Sequence, residues 1–184
     1  AGPVPVRIER DGPRIVFGRM VQPVPRVEPF PETASLLRAL GVERSVLPVE
    51  LYDNGPRHLF VALGSETEVA AVEPDFQALA RLLPRGTTSC FAGAGRRWKT
   101  RAFAPGAGVM EDPATGSAAG PLACHLARHG RIAFGEEIEI RQGAEIARPS
   151  VLFARADGTA AAIERVEVGG SAVTVARGEF RLPE

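Results

Sequence analysis

RAFAPGAGVMEDPATGSAAGPLACHLARHG, residues 101–130, is the stretch that says most about the fold. It reads as an apolar strand, then a loop rich in glycine and proline, then a helix from Ser117 to about His129. Beyond its first turn the helix is almost wholly apolar, with Leu122 and Leu126 among its residues, so we expect it to be buried. The sequence predicts an α+β domain whose mixed or antiparallel sheet curls around this central helix.

The start of this helix is a candidate anion-binding site. Either Asp112 or Thr115 is expected in the N-cap region, because Asp and Thr favour that position. The backbone N–H groups of Gly116, Ser117 and Ala118 would then lack helical acceptors, and the small side chains leave them open to a ligand. Helix N-termini attract anions, so we expect a small carboxylate there.

The rest of the chain alternates helices and strands early and is dominated by strands late. A hairpin turns at Asp11-Gly12, and the apolar residues Val4, Val6 and Ile8 would bury one of its faces. The proline-rich segment 21–31 is expected to be an extended connection rather than a helix or a central strand. Predicted helices cover residues 32–42 and 74–83, and the other predicted strands cover residues 46–50, 59–63, 87–92, 98–104, 138–143, 150–157, 163–170 and 171–183.

Several segments resemble one family. GVMEDPATGSAAGPLACHL, residues 108–126, resembles the signature of PhzF-like proteins of phenazine biosynthesis. IRQGAEIARPSVLF, residues 140–153, is similar to the family's QG…GRPS segment, with Ala147 where glycine is usual. VEVGGSAVTVARGEF, residues 166–180, and YDNGPRHLFV, residues 52–61, are supporting matches. The resemblance covers nearly the whole chain but only the second half of a typical member.

This resemblance implies a fold shared with diaminopimelate epimerase, in which two similar halves each wrap a sheet around a helix. It also implies an isomerase or epimerase that moves a proton without a cofactor on a small carboxylate substrate. Asp112 and Ser117 would be the catalytic residues, and Thr115, Gly116, Ser117 and Ala118 would bind the substrate. The family's principal acid/base, a glutamate, lies in the first half, which we expect this chain to lack.

The beginning of the chain agrees with that expectation, because it reads as a strand already under way. We predict that residues 1–20 complete a missing N-terminal half and that residues 21–184 form the C-terminal diaminopimelate epimerase-like domain. The partner would be that half, as a separate chain or a missing segment, or a second copy in a homodimer. The alternative is a catalytically inactive ligand-binding or interaction domain of the same fold.

Other chemistries are disfavoured by what the sequence lacks. Ser117 is not in a GxSxG motif, and the helix start has no P-loop lysine. Asp112 could also serve only as a helix cap, and Glu111 as a solvated acid or the partner of an arginine. Cys90 and Cys124 lack metal-ligand spacing and are expected to be partly buried free thiols. Neither lies in the helix-start motif, where the resemblance to diaminopimelate epimerase would require a catalytic thiol, so two-thiol racemisation is disfavoured.

The three histidines predict no metal site. His125 and His129 have the four-residue spacing of metal ligands, but the glutamate of HExxH is absent. Their place near the helix C-terminus suits an interaction with the helix dipole instead. His58 is expected to be a surface or edge residue.

Bulk composition narrows the class further. Lys+Arg and Asp+Glu number 22 each, so no net charge favours nucleic acid, and Trp98 among basic residues is weak support for such binding. No apolar run is long enough to span a bilayer, which predicts a soluble cytoplasmic protein without membrane contact. No cofactor is implied, because direct proton transfer needs none and no dinucleotide motif is present.

Overall fold

The structure is a computed structural model that describes residues 4–173, 176 and 178–181. Within these residues eleven strands form one mixed sheet. The strands are β1 Val6–Asp11, β2 Arg14–Gln22, β3 Arg26–Pro29, β4 Glu50–Asp53, β5 Arg57–Ala62, β6 Thr87–Ala94, β7 Arg97–Ala104, β8 Val109–Asp112, β9 Glu137–Gln142, β10 Ser150–Gly158 and β11 Ile163–Gly170. Their order in the sheet is β1-β2-β11-β10-β9-β7-β6-β5-β4-β3, with β8 paired to β7. The pairs β9–β7 and β5–β6 are parallel and the others are antiparallel.

Four α-helices lie on the two faces of this sheet: α1 Thr33–Leu40, α2 Glu66–Ala70, α3 Phe76–Leu82 and α4 Gly116–Arg128. Alternate residues of β5 divide between two cores, because side chains on a strand point to opposite faces. Phe60 belongs to the core that contains α4, whereas Leu59 and Val61 belong to the core that contains α1, α2 and α3. The predicted α+β class with a mixed sheet and a few helices is confirmed.

The N-terminal hairpin forms as predicted, with Gly12 in the left-handed region at φ 56°. Its second strand pairs with β11, which joins the hairpin to the rest of the sheet. The expected burial of one face is wrong for the described residues, because Val6 is 58% and Ile8 is 47% exposed. The alternation therefore produces an apolar face that no other described element covers.

Three details of the predicted elements differ from the structure, each for a local reason. Residues 46–49 form no strand, because Pro48 has no N–H and the Ser45 hydroxyl donates to the Leu47 carbonyl. The proline-rich segment has no helix, as predicted, but beside its extended connection it contains β3, which tolerates proline because it lies at the edge of the sheet. The prediction also missed α2, although Ser65 caps it by accepting from the Glu68 N–H at 3.1 Å.

The last predicted strand, residues 171–183, includes positions outside the described residues, and residues 171–173 have no regular structure. The other late strands are confirmed within two residues. Within the described part of the chain, no helix is long and apolar enough to cross a membrane.

His58 corrects a prediction, because its side chain is fully buried rather than at the surface or an edge. It lies on β5, between β4 and β6, and stacks on Phe60 with 6.5 Å between ring centroids. Among the described residues, neither ring nitrogen has a hydrogen-bond partner. Burial lowers the pKa of His58 to about 4, so the folded protein holds a neutral imidazole at pH 7.

His58 should make the protein sensitive to acid. The unfolded chain takes up a proton near pH 6.5 and the folded chain only near pH 4, so stability falls as the pH drops between these values. We expect His58 to account for a loss of about 2 to 3 kcal/mol in the free energy of unfolding between pH 7 and pH 4.5. Urea unfolding of the wild type and of His58→Leu at both pH values measures this difference. Equal losses in the two proteins would contradict it.

Candidate functional site

The candidate site lies where β8 leads into α4. Strand β8 pairs with β7, and Asp112 lies opposite Ala102. Thr115 is the N-cap residue of α4, although its side chain does not cap the helix. Asp112 is therefore not the helix N-cap, which was one of the two positions that the sequence left open. Its carboxylate lies three residues before the cap and is half-buried.

A short network of hydrogen bonds fixes the Asp112 carboxylate. The Thr115 hydroxyl donates to Asp112 Oδ2 at 2.8 Å. Gln142 in turn donates from Nε2 to Thr115 Oγ1 at 2.9 Å and to the Asp112 carbonyl at 2.6 Å, and its Oε1 accepts from the Thr115 N–H at 3.3 Å. Gln142 is only 4% exposed. This buried amide therefore holds both ends of the loop that carries Asp112.

The first turn of α4 offers two backbone donors. Gly116 and Ser117 are half-buried, and neither N–H donates a hydrogen bond to another described residue. The Ala118 N–H, predicted to be free, is bonded to the Thr115 carbonyl at 3.0 Å. The two remaining N–H groups lie at the positive end of the helix dipole, where an anion is stabilised.

Two side chains from the sheet region hold the same turn from outside. Gln22 donates to the Gly116 carbonyl at 2.8 Å, and Asn54 donates to the Ser117 carbonyl at 3.0 Å. The second contact has a clear cause: Pro121 lacks the N–H that would otherwise bond to the Ser117 carbonyl. Pro121 lies inside the helix, beyond its first turn, and Asn54 compensates for the missing donor.

A buried ion pair anchors β8 immediately before Asp112. Arg101 donates from Nε to Glu111 Oε1 at 2.9 Å and from Nη2 to Glu111 Oε2 at 2.8 Å. Its Nη1 donates to the carbonyl groups at and after the end of α2, at 3.0 Å for Ala70 and 2.8 Å for Val72. Of the two roles expected for Glu111, the partner of an arginine is the one that forms. Trp98, on the same strand as Arg101, is also buried rather than part of a basic surface.

An open groove of about 630 Å³ borders the helix start. Gly116 and Ala114 line it together with residues of β2, β10 and β11, among them Arg19. Arg19 is paired with Glu137, so its charge is already compensated. Asp112, Thr115 and Ser117 are not among the residues that line this groove, so the groove adjoins the site through Gly116.

Other reactive side chains lie apart from the helix start. Both cysteines are free and buried, and burial raises the pKa of each thiol to about 12, which disfavours thiolate chemistry. At the opposite end of α4, His125 and His129 meet Glu50 of β4. Sequence reasoning did not connect Glu50 with the histidines, because Glu50 is 79 positions from His129.

Sequence reasoning also assigned no role to Gln22, Asn54 or Gln142. The sequence predicted a turn at Asn54 and a strand that contains Gln142, and both segments resemble the family, but no contact with the helix start was predicted for either residue. A glutamine or asparagine in or beside a strand gives no signal of what it contacts. Thr115, Gly116 and Ser117, by contrast, lie at the start of α4, and the Thr115 hydroxyl is bonded to Asp112.

The sequence profile of the family described as phenazine biosynthesis-like protein matches residues 1–178. A trans-2,3-dihydro-3-hydroxyanthranilate isomerase of Pseudomonas chlororaphis is 51% identical over 181 residues. That match covers 98% of this chain and 65% of the relative, so the chain spans just under two thirds of the relative's length.

Solved structures show the same fold. A phenazine biosynthesis protein of the PhzF family from Bacillus anthracis superposes with a TM-score of 0.79 at 20% identity, covering 97% of this chain and 65% of that one. A probable proline racemase from Agrobacterium radiobacter superposes with a TM-score of 0.57 at 14% identity, covering 98% of this chain and 58% of that one.

Proposed function

The chain belongs to the phenazine biosynthesis-like (PhzC-PhzF) protein family, and from that premise we propose that it is part of a small-molecule isomerase or epimerase. The proposed reaction is cofactor-free transfer of a proton on a small carboxylate substrate. Relatives about half identical to this chain over 98% of its length are named as isomerases. The proposal rests on the Asp112 carboxylate at the start of α4. This carboxylate accepts from the Thr115 hydroxyl, which Gln142 holds in place. Nearby, the N–H groups of Gly116 and Ser117 have no acceptor within the described residues.

The proposed mechanism divides binding from proton transfer. The N–H groups of Gly116 and Ser117 would bind the substrate carboxylate, assisted by the helix dipole and by the Ser117 hydroxyl. Asp112 would accept or deliver the proton, or orient the reacting carbon, because its Oδ2 is fixed by Thr115. Thr115 would keep the loop in place, and Ala118 would contribute to the shape of the site rather than an N–H, which is already bonded.

Proton transfer between two carbons needs a group that removes the proton and, where the faces differ, a second group that returns it. Among the described residues, Asp112 is the acid that adjoins the helix start. We place the principal glutamate in the part of the protein outside these 184 residues, since the curated relatives are longer by roughly a third of their length. We propose that this part belongs to the same polypeptide or to a separate chain.

We extend the proposal to the architecture. The sheet would curl around α4 as in diaminopimelate epimerase, which is supported by contacts of α4 with β5, β9, β10 and β11. Residues 1–20 would complete the N-terminal half, and residues 21–184 would form the C-terminal domain. The exposed apolar side chains of Val6, Ile8 and Ile15 support that assignment, because such a face is suited to being covered.

Deuterium uptake tests the reaction. The full-length gene product and this chain alone would each be incubated in heavy water with trans-2,3-dihydro-3-hydroxyanthranilate, the substrate in the name of the Pseudomonas relatives. We expect the full-length protein to form an isomer that carries solvent deuterium, as read by NMR and mass spectrometry. A folded full-length protein that catalyses neither exchange nor isomerisation of this substrate would contradict the proposal and favour an inactive binding domain instead.

A matched pair of variants tests the binding step. Proline is tolerated at the first helical position, so Gly116→Pro should remove one donor without breaking α4, whereas Gly116→Ala keeps the N–H and adds a Cβ that meets nothing within 4 Å. We expect Gly116→Pro to weaken binding of anthranilate, a carboxylate that does not react, by about tenfold. Calorimetric titration of both variants measures this, and equal affinities would place the anion elsewhere.

The second candidate function is a catalytically inactive ligand-binding or interaction domain of the same fold. It is favoured by one observation: the two N–H donors can hold a carboxylate without any second acid/base group. Binding of anthranilate without deuterium exchange in the full-length protein would support this function.

A further inference from the structure

Glu50, His125 and His129 converge at the C-terminal end of α4, away from the candidate site. The two histidines are four residues apart on one helix face, and Glu50 reaches them from the start of β4. His129 Nε2 lies 2.9 Å and His125 Nδ1 lies 3.3 Å from Glu50 Oε2. The three ligand atoms all lie within 4.8 Å of one another.

These separations suit a divalent transition metal. Zinc binds imidazole nitrogen and carboxylate oxygen at about 2.0 to 2.2 Å, which places neighbouring ligands of a tetrahedral site roughly 3.3 Å apart. The observed spacings of Glu50 to each histidine are close to that value. We propose that Glu50, His125 and His129 form a binding site for a divalent cation of the zinc class, with a solvent molecule as the fourth ligand.

Tyr52 supplies an outer contact of the kind that metal ligands need. Its phenol donates to Glu50 Oε2 at 2.9 Å. His125 is held edge-on to Tyr52 and stacked on Phe60, with centroids 5.6 and 5.7 Å apart. These contacts fix the positions of two of the three ligands before any ion binds.

Arg128 competes with a metal ion for the Glu50 carboxylate. Its Nη1 lies 2.8 Å from Glu50 Oε2 and 2.7 Å from the Tyr52 hydroxyl, so a guanidinium neutralises the carboxylate. The Arg128 side chain is 24% exposed and can turn toward solvent, whereas His125 is fully buried. A metal ion would replace this charge at a position that the negative end of the helix dipole also favours.

The site is independent of the proposed isomerase activity. His125 is nine residues from Gly116, which corresponds to about 14 Å along the helix. An ion there would join the end of α4 to β4 and would not touch the substrate. Its expected role is structural, and its test needs no enzyme assay.

Calorimetric titration of the metal-free chain with zinc chloride tests the site. We expect one zinc ion per chain, at least tenfold weaker binding in His129→Asn, and tighter binding in Arg128→Gln, because that variant removes the competing cation. Glu139→Gln is the control, since Glu139 pairs with Arg141 at the surface. Circular dichroism of each metal-free variant shows whether it is folded.

Zinc should bind more tightly to Arg128→Gln and more weakly to His129→Asn, and this contrast distinguishes a metal site from an ordinary ion-pair network. If the network only stabilises the fold, removing Arg128 lowers stability and creates no affinity for zinc. The proposal is overturned if no zinc binds at concentrations up to about 1 mM. A Kd of about 1 mM corresponds to a binding free energy of about −4 kcal/mol. Unchanged affinity in His129→Asn, or weaker binding in Arg128→Gln, would also overturn it.

Discussion

Asp112→Asn is expected to reduce isomerase turnover by about 10²- to 10⁴-fold, the usual contribution of a positioned general acid/base. The amide oxygen of asparagine can still accept from the Thr115 hydroxyl, which now lies 2.8 Å from Asp112 Oδ2. The loop should therefore keep its shape while the group that exchanges a proton is lost. Steady-state kinetics and deuterium uptake measure the change.

The matched control is Glu43→Gln, which removes a carboxylate at an exposed position. It should leave turnover unchanged. Loss of an acid/base group would change turnover far more than threefold. If Asp112→Asn keeps turnover within about threefold of the wild type, Asp112 only shapes the loop and another group transfers the proton.

Glu111→Gln is expected to destabilise the fold strongly, because it breaks a buried ion pair. Arg101 is only 8% exposed, and its guanidinium donates two hydrogen bonds to the Glu111 carboxylate. The substitution removes the negative charge that compensates this guanidinium. Breaking one partner of a buried pair typically costs about 3 to 5 kcal/mol. The carbonyl groups of Ala70 and Val72 still accept from Arg101, so we expect the lower end, about 3 kcal/mol.

Calorimetry and urea unfolding measure this loss, which corresponds to a fall in Tm of roughly 6 to 12 °C for a chain of this size. Glu139→Gln, which opens the surface pair with Arg141, should cost less than about 1 kcal/mol. If the two variants were equally stable, the pair of Arg101 and Glu111 would not anchor β8. Because Asp112 follows Glu111 directly, the destabilised variant should also bind anthranilate more weakly.

Local patterns in the sequence carried much of the fold. Helix α1 ends at Gly41, which has φ 68°, because glycine adopts that conformation without strain. The hairpin of β1 and β2 and the strand β10 follow from turn residues and apolar alternation. The prediction for residues 46–49 failed because their apolar side chains resemble a strand while Pro48 prevents one.

Local sequence gave His58 no signal of burial, since it stands between Arg57 and an apolar run. The pairing of β5 between β4 and β6 decides that its side chain is enclosed. The same limit applies to Gln142 and Asn54. Each is an uncharged polar residue without a local partner, and each meets the helix start only after strands distant in the chain have paired.

The sequence by itself determined the family, the mixed α+β class and the group Asp112, Thr115, Gly116 and Ser117, because these residues are close together along the chain and their local geometry follows from helix capping. Tertiary structure alone decided which distant residues contact the candidate site, namely Gln22, Asn54 and Gln142, and which acid meets the histidine pair. The physical reason is that a helix start is a short-range property, whereas the partner of a buried polar group is set by strand order and register.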